Sequence, residues 1–122
     1  MIYTSYFAKG SRLPEAVCIA RSKPKWYHGP SFEALAPPWN LVHENDPARY
    51  RERYRREVLA KLDPRKVAEV LEGKVLLCWE ADPAGCHRRL VAEWLQENLG
   101  IEVPELTSKG QLPGQNMSMD FE

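Results

Sequence analysis

No apolar run in this chain approaches the roughly 20 residues that a bilayer-spanning helix needs, so no membrane partner is expected. The Met1-Ile2-Tyr3-Thr4 start lacks a basic segment leading into an apolar stretch, and no secretory signal is legible in it. Cysteine is scarce. Cys18, Cys78 and Cys86 are odd in number and lie in or beside apolar segments, which fits reduced thiols in a cytoplasm better than a disulfide scaffold. Net charge is zero, because 17 basic residues balance 17 acidic ones, so bulk charge argues neither for nor against nucleic acid. Gly-rich phosphate loops and dinucleotide fingerprints are missing, and no nicotinamide, flavin, ATP or other cofactor is expected. Cys78, Cys86 and His87 are zinc-compatible residue types, but they lack paired Cys-x-x-Cys spacing, and Cys78 sits in a strand whose side chains alternate. No metal site is expected from them.

What is present is enough for one domain with a core of its own, at 122 residues. Ile2 to Phe7 mixes β-branched and aromatic residues and predicts a strand. Ala16-Val17-Cys18-Ile19-Ala20 predicts a second, covered on both faces. Only about eight residues separate them, where a parallel crossover normally takes a dozen or more, so a compressed crossover is expected. Ser22 to Asn45 shows no periodicity and carries four prolines with Trp26, Tyr27, His28, Phe32, Trp39 and His43. It predicts a long loop whose aromatic rings either cap the core or line a site.

Asp46-Pro47 is a helix start, with Asp as N-cap and Pro in the first helical position. Tyr50, Tyr54 and Val58 then form an apolar stripe. From Arg49 to Lys66 eight basic residues face three acidic ones, a local excess of five positive charges. Two readings stand side by side. One is a solvated face with Glu52–Arg56 and Arg53–Glu57 pairs. The other is a phosphate-contacting face in which Arg49, Arg53 and Arg56 act with Trp26, Tyr27 or Trp39 as stacking rings. Asp63-Pro64 starts a shorter helix, Lys74 to Trp79 reads as a buried strand, and Ala84 to Leu99 as a helix ended by Gly100. Ile101-Glu102-Val103 predicts a last short strand. The whole is an α/β domain, a short, mostly parallel sheet with flanking helices in Rossmann-like layering, over residues 1–106. Residues 107–122 read as an extended tail through which the chain could form an oligomer.

The most telling stretch runs from Val75-Leu76-Leu77-Cys78-Trp79-Glu80 through Asp82, Pro83 and Gly85 into Cys86-His87-Arg88-Arg89. Cationic side chains in the first turn of a helix oppose its macrodipole unless an anion lies in front of the free N–H groups. In α/β folds that position is beyond the carboxyl ends of the strands, where ligands bind. Arg88 and Arg21 suit bidentate grip of a phosphate, or an internal ion pair. Glu80, ending a buried strand, suits proton transfer or charge neutralisation. Cys86 is either a thiol activated by its helix position or a small core residue in line with Leu90 and Trp94.

Tyr3-Thr4-Ser5, Arg21 with Pro24, Leu35-Ala36-Pro37 and, above all, Leu76-Leu77-Cys78-Trp79-Glu80 through Cys86-His87-Arg88 carry a resemblance. Over roughly residues 1 to 106 the chain resembles the domain-of-unknown-function 488 family of small, mostly bacterial proteins. The resemblance implies a compact α/β domain with a pocket at the Cys-His-Arg turn, and supplies no activity. Two departures stand out. Many longer members hold a full helix between the first two strands, and many read Asp-Val-Arg where this chain has Ile19-Ala20-Arg21.

The leading expectation is therefore a cytoplasmic protein whose pocket binds a phosphate-bearing small molecule or nucleic-acid end. Arg21, Arg88, Thr4 and Ser5 would hold the ligand, with Cys86, His87 and Glu80 as the chemical groups. A thiol-dependent transferase or hydrolase with Cys86 as nucleophile is the alternative. A noncatalytic nucleic-acid module acting through the arginine-rich helix is the third.

Overall fold

The computed structural model describes residues 1–80 and 86–106. The turn before Cys86 and the expected tail over 107–122 lie outside the described residues. Three strands, β1 (Tyr3–Tyr6), β2 (Ala16–Cys18) and β3 (Val75–Cys78), form a wholly parallel sheet in the order β1-β3-β2. All four β3 residues are buried, as a central strand covered on both faces requires. The register sets Thr4 and Val17 beside Leu76, and Tyr6 beside Cys78.

The nine residues between β1 and β2 do not join neighbouring strands, because β3 lies between them. The crossover is compressed into a single helical turn, α1 (Phe7–Gly10). A Cβ on Gly10 would sit 2.8 Å from Leu77 Cδ2 and 3.1 Å from Ser5 Cβ, so glycine is what lets this turn lie directly on the sheet. Two isolated parallel bridges widen the sheet, Thr4 with Glu105 and Cys18 with Ser31. The final pairing therefore falls at Glu105, not at Ile101-Glu102-Val103: Thr4 N–H donates to Pro104 O and Leu106 N–H to Thr4 O.

The region expected as an unstructured loop holds a 3-10 turn at Glu33–Leu35 and the short helix α2 (Trp39–Val42). Next comes α3 (Pro47–Glu57), whose Asp46 cap accepts from the N–H groups of Ala48 and Arg49. A 3-10 turn at Leu59–Lys61 leads to α4 (Pro64–Leu71), capped by Asp63. The last helix, α5 (His87–Leu99), ends at Gly100 with φ +68°, a left-handed position that glycine takes at little cost. It starts later than the sequence suggests, which makes Cys86 its N-cap rather than part of its first turn. None of the described helices is long and apolar enough to cross a membrane.

Strand alternation divides the core. Val17 and Leu76 face Tyr54, Val67, Leu71, Val91 and Leu95 of the three larger helices. Ala16, Cys18, Val75 and Leu77 face Phe7, Tyr27 and Leu106 on the opposite side. Cys78, two residues after Leu76, thus points to the helical layer, where α5 begins.

Candidate functional site

The site forms where the carboxyl end of β3 meets the start of α5. A cleft of about 670 Å³ opens there, lined by Arg21, Trp39, Tyr50, Trp79, Glu80, Cys86 and His87, among others. Cys78 borders it as well, and its sulfur is joined to that of Cys86 in a disulfide. The expectation of three reduced thiols is corrected here. Strand β3 and the N-cap of α5 carry the two cysteines eight positions apart to one point, and only Cys18 remains as a free cysteine among the described residues.

His87, the first residue of α5, is buried against the Tyr54 ring, 5.4 Å between centroids. Its Nε2 lies 2.7 Å from the Ile19 carbonyl oxygen. A carbonyl only accepts, so Nε2 carries the proton and Nδ1 presents its lone pair to Cys86 Sγ, 3.8 Å away. Burial drives the His87 pKa down to about 4, aided by the Arg88 charge and opposed by the Ile19 hydrogen bond. The ring is therefore a neutral imidazole at physiological pH. Tyr50, stacked on Tyr54 at 6.2 Å, has its pKa raised to about 12 by burial.

Arg88 turns inward rather than toward the cleft. It is wholly buried, and its Nε and Nη2 donate to both carboxylate oxygens of Glu105 at 3.0 and 2.8 Å. Nη1 donates to the Glu80 carbonyl at 2.6 Å and to Cys78 Sγ at 3.1 Å. The expected anion ligand is thus an internal brace that pins the end of β3 to α5. The Glu80 carboxylate is exposed at the cleft, so it does not have the desolvated setting expected for it.

Arg21 does line the cleft. Its Nε and Nη2 donate to the carbonyls of Pro37 and Ala36, and no carboxylate among the described residues pairs with it. Thr4 and Ser5 do not reach the cleft. Thr4 Oγ1 donates to Glu105 at 2.6 Å, completing the cage around Arg88. Ser5, on the opposite face of β1, is fully buried and its Oγ has no hydrogen-bond partner among the described residues.

The α3 arginines other than Arg49 are paired. Arg53 meets Glu57 and Glu44, and Arg56 meets Glu52. Arg51 and Arg55 reach Glu93 and Glu97 on α5, so carboxylates about 40 residues away offset the local positive excess. Arg49 is exposed. Trp26 is exposed too, but Tyr27 is buried against Phe7, and its hydroxyl donates to the carbonyl of Pro30 at 2.8 Å. Tyr27 is therefore a core residue and offers no open face to a base.

Sequence reasoning missed Glu105 and the convergence of Cys78 with Cys86. Glu105 carries no local signal, whereas the alternation of β3 already placed Cys78 on the same face as Leu76. A family model described as the active DUF488-N3 subclade matches residues 12–99. No curated protein matches the chain, and no solved structure matches it.

Proposed function

The chain belongs to the DUF488-N3 subclade, and on that premise we propose that its cleft binds a phosphate-bearing ligand with a flat ring, such as a nucleotide or nucleic-acid end. The observation that carries this reading is the Arg21 guanidinium, unpaired with any described carboxylate at the edge of a cleft that also holds the start of α5 and half-exposed rings. Arg21 and the α5 N–H groups would take the phosphate, and Trp39 and Trp79 the ring. Glu80, at the cleft surface, would exchange protons with the ligand.

Thermal shift with nucleoside mono- and diphosphates and short oligonucleotides tests it. At a ligand concentration a hundred times its Kd, linkage stabilises the fold by about 2.7 kcal/mol. Arg21→Ala should weaken binding about tenfold or more. Trp39→Ala, which removes a ring 55% exposed, should cost about 1–3 kcal/mol of affinity through lost stacking. Absence of any shift, or an undiminished one in Arg21→Ala, rejects the reading.

A second reading rests on Cys86. Its place at the N-cap of a helix stabilises a thiolate in the reduced protein, and His87 Nδ1 is its nearest ring nitrogen, at 3.8 Å. A histidine with its pKa near 4 is a weak base, so activation falls mainly to the helix terminus. Iodoacetamide modification of the reduced protein should then have a midpoint below the ordinary thiol range, near 8.5. An ordinary alkaline profile for Cys86 ends this reading.

A further inference from the structure

The Cys78 and Cys86 sulfurs and a His87 ring nitrogen all lie within 4.8 Å of one another. We infer that the reduced protein uses Cys78 Sγ, Cys86 Sγ and His87 Nδ1 to hold a zinc-type divalent transition metal, leaving one coordination position open to the cleft. The inference goes beyond ligand binding in the cleft and does not depend on it.

Three features support the assignment. Two thiolates and one imidazole are a soft and borderline donor set of the kind zinc takes in three-ligand sites with an open position. Zinc–sulfur bonds near 2.3 Å and zinc–nitrogen bonds near 2.0 Å place tetrahedral donors roughly 3.5–3.8 Å apart. The Cys86 Sγ to His87 Nδ1 distance of 3.8 Å is already at that spacing. The Cα atoms of Cys78 and Cys86 are 6.9 Å apart, which leaves the two sulfurs room to move apart around an ion once the disulfide is reduced.

The surroundings fit as well. His87 gives its Nε2 proton to the Ile19 carbonyl, the outer hydrogen bond that fixes the tautomer of metal-binding histidines and aims the other nitrogen. Two thiolates neutralise a divalent ion, and Glu105 neutralises Arg88, so the loaded site adds no net buried charge. Arg88 Nη1, 3.1 Å from Cys78 Sγ, favours the thiolate form of that ligand. All three ligand residues line the cleft, so the open position faces whatever the cleft holds. A disulfide uses the same two sulfur atoms, and the oxidised and metal-bound forms exclude each other.

The full chain, reduced with a phosphine under nitrogen, is incubated with zinc or cobalt, desalted and analysed for metal. About one metal per chain is expected, with a thiolate-to-cobalt charge-transfer absorption in the near ultraviolet. Cys86→Ser and Cys78→Ser should lose it. Cys86→Ser keeps a favoured N-cap residue, so circular dichroism should show it folded. Cys18→Ser, altered at a buried thiol on the opposite face of the sheet, should retain the metal, and the diamide-oxidised protein should take up none. His87→Gln should bind at least roughly tenfold more weakly. A reduced protein that retains no metal overturns the inference, as does a folded Cys86→Ser variant that binds it with wild-type affinity. Neither readout uses a cleft ligand, so failure here is separable from failure of phosphate binding.

Discussion

Glu105→Ala lowers the stability of this protein by about 3 kcal/mol, measured by urea unfolding at neutral pH. Arg88 is 0% exposed, and Glu105 supplies the carboxylate that neutralises it through two charge-assisted hydrogen bonds. Removing that carboxylate takes the counter-charge from a buried guanidinium, which keeps its donation to the Glu80 carbonyl and the Cys78 sulfur. Breaking a buried pair from one side commonly costs about 3–5 kcal/mol. The lower end applies because the Glu105 side chain is 28% exposed and water screens part of the interaction. Thr4 loses an acceptor as well, and the bridge that ties 104–106 to β1 loosens. For a chain of 122 residues the melting temperature should fall by roughly 10 °C. Arg88→Met combined with Glu105→Leu should recover most of the loss, since an apolar pair of similar volume often replaces a buried ion pair without penalty. A Glu105→Ala variant within about 0.5 kcal/mol of wild type, in the range of ordinary surface changes, would show that Arg88 does not need its carboxylate.

Acid should weaken the disulfide form of the protein through His87. In that form the sulfurs cannot ligate a metal, so the histidine titrates against protein groups alone. Its folded pKa of about 4 lies below the ordinary value of 6.5 because the ring is buried beside Arg88. The unfolded chain therefore takes up the proton first as pH falls. The stability that a neutral His87 supports is complete above pH 6.5 and drains away as pH falls toward 4. Integrated over that window, the loss is about 3 kcal/mol. The groups facing the ring are the Ile19 carbonyl, Cys86, Tyr54 and Arg88, none of which supplies a carboxylate to favour the imidazolium. His87→Gln cannot titrate, and its unfolding free energy should fall by about 3 kcal/mol less than wild type between pH 7.5 and pH 4. Parallel pH profiles for the two proteins would refute a buried neutral histidine.

Much of the scaffold was legible residue by residue. Asp46-Pro47 and Asp63-Pro64 start helices where they should, because a carboxylate cap and a proline at the first position act locally. The Glu52–Arg56 and Arg53–Glu57 pairs follow from helical spacing alone. The unbroken apolar run at Val75–Cys78 announced the central strand. The site was legible only as a neighbourhood. Cys86, His87 and Arg21 do line one cleft, while Arg88 turns away from it into the interior.

Composition and spacing by themselves determined an α/β domain, its principal helices and the edge of the sheet at which reactive groups gather. Those properties depend on side-chain period and on caps a few residues away. Tertiary structure alone decided that Arg88 spends its charge on Glu105, that Cys78 meets Cys86, and that Arg21 meets backbone carbonyls and no described carboxylate at the cleft. Each of these depends on a partner distant along the chain or on another element. Two guanidinium groups identical in chemistry are thus given different surroundings, a carboxylate in the interior for one and backbone carbonyls beside the cleft for the other.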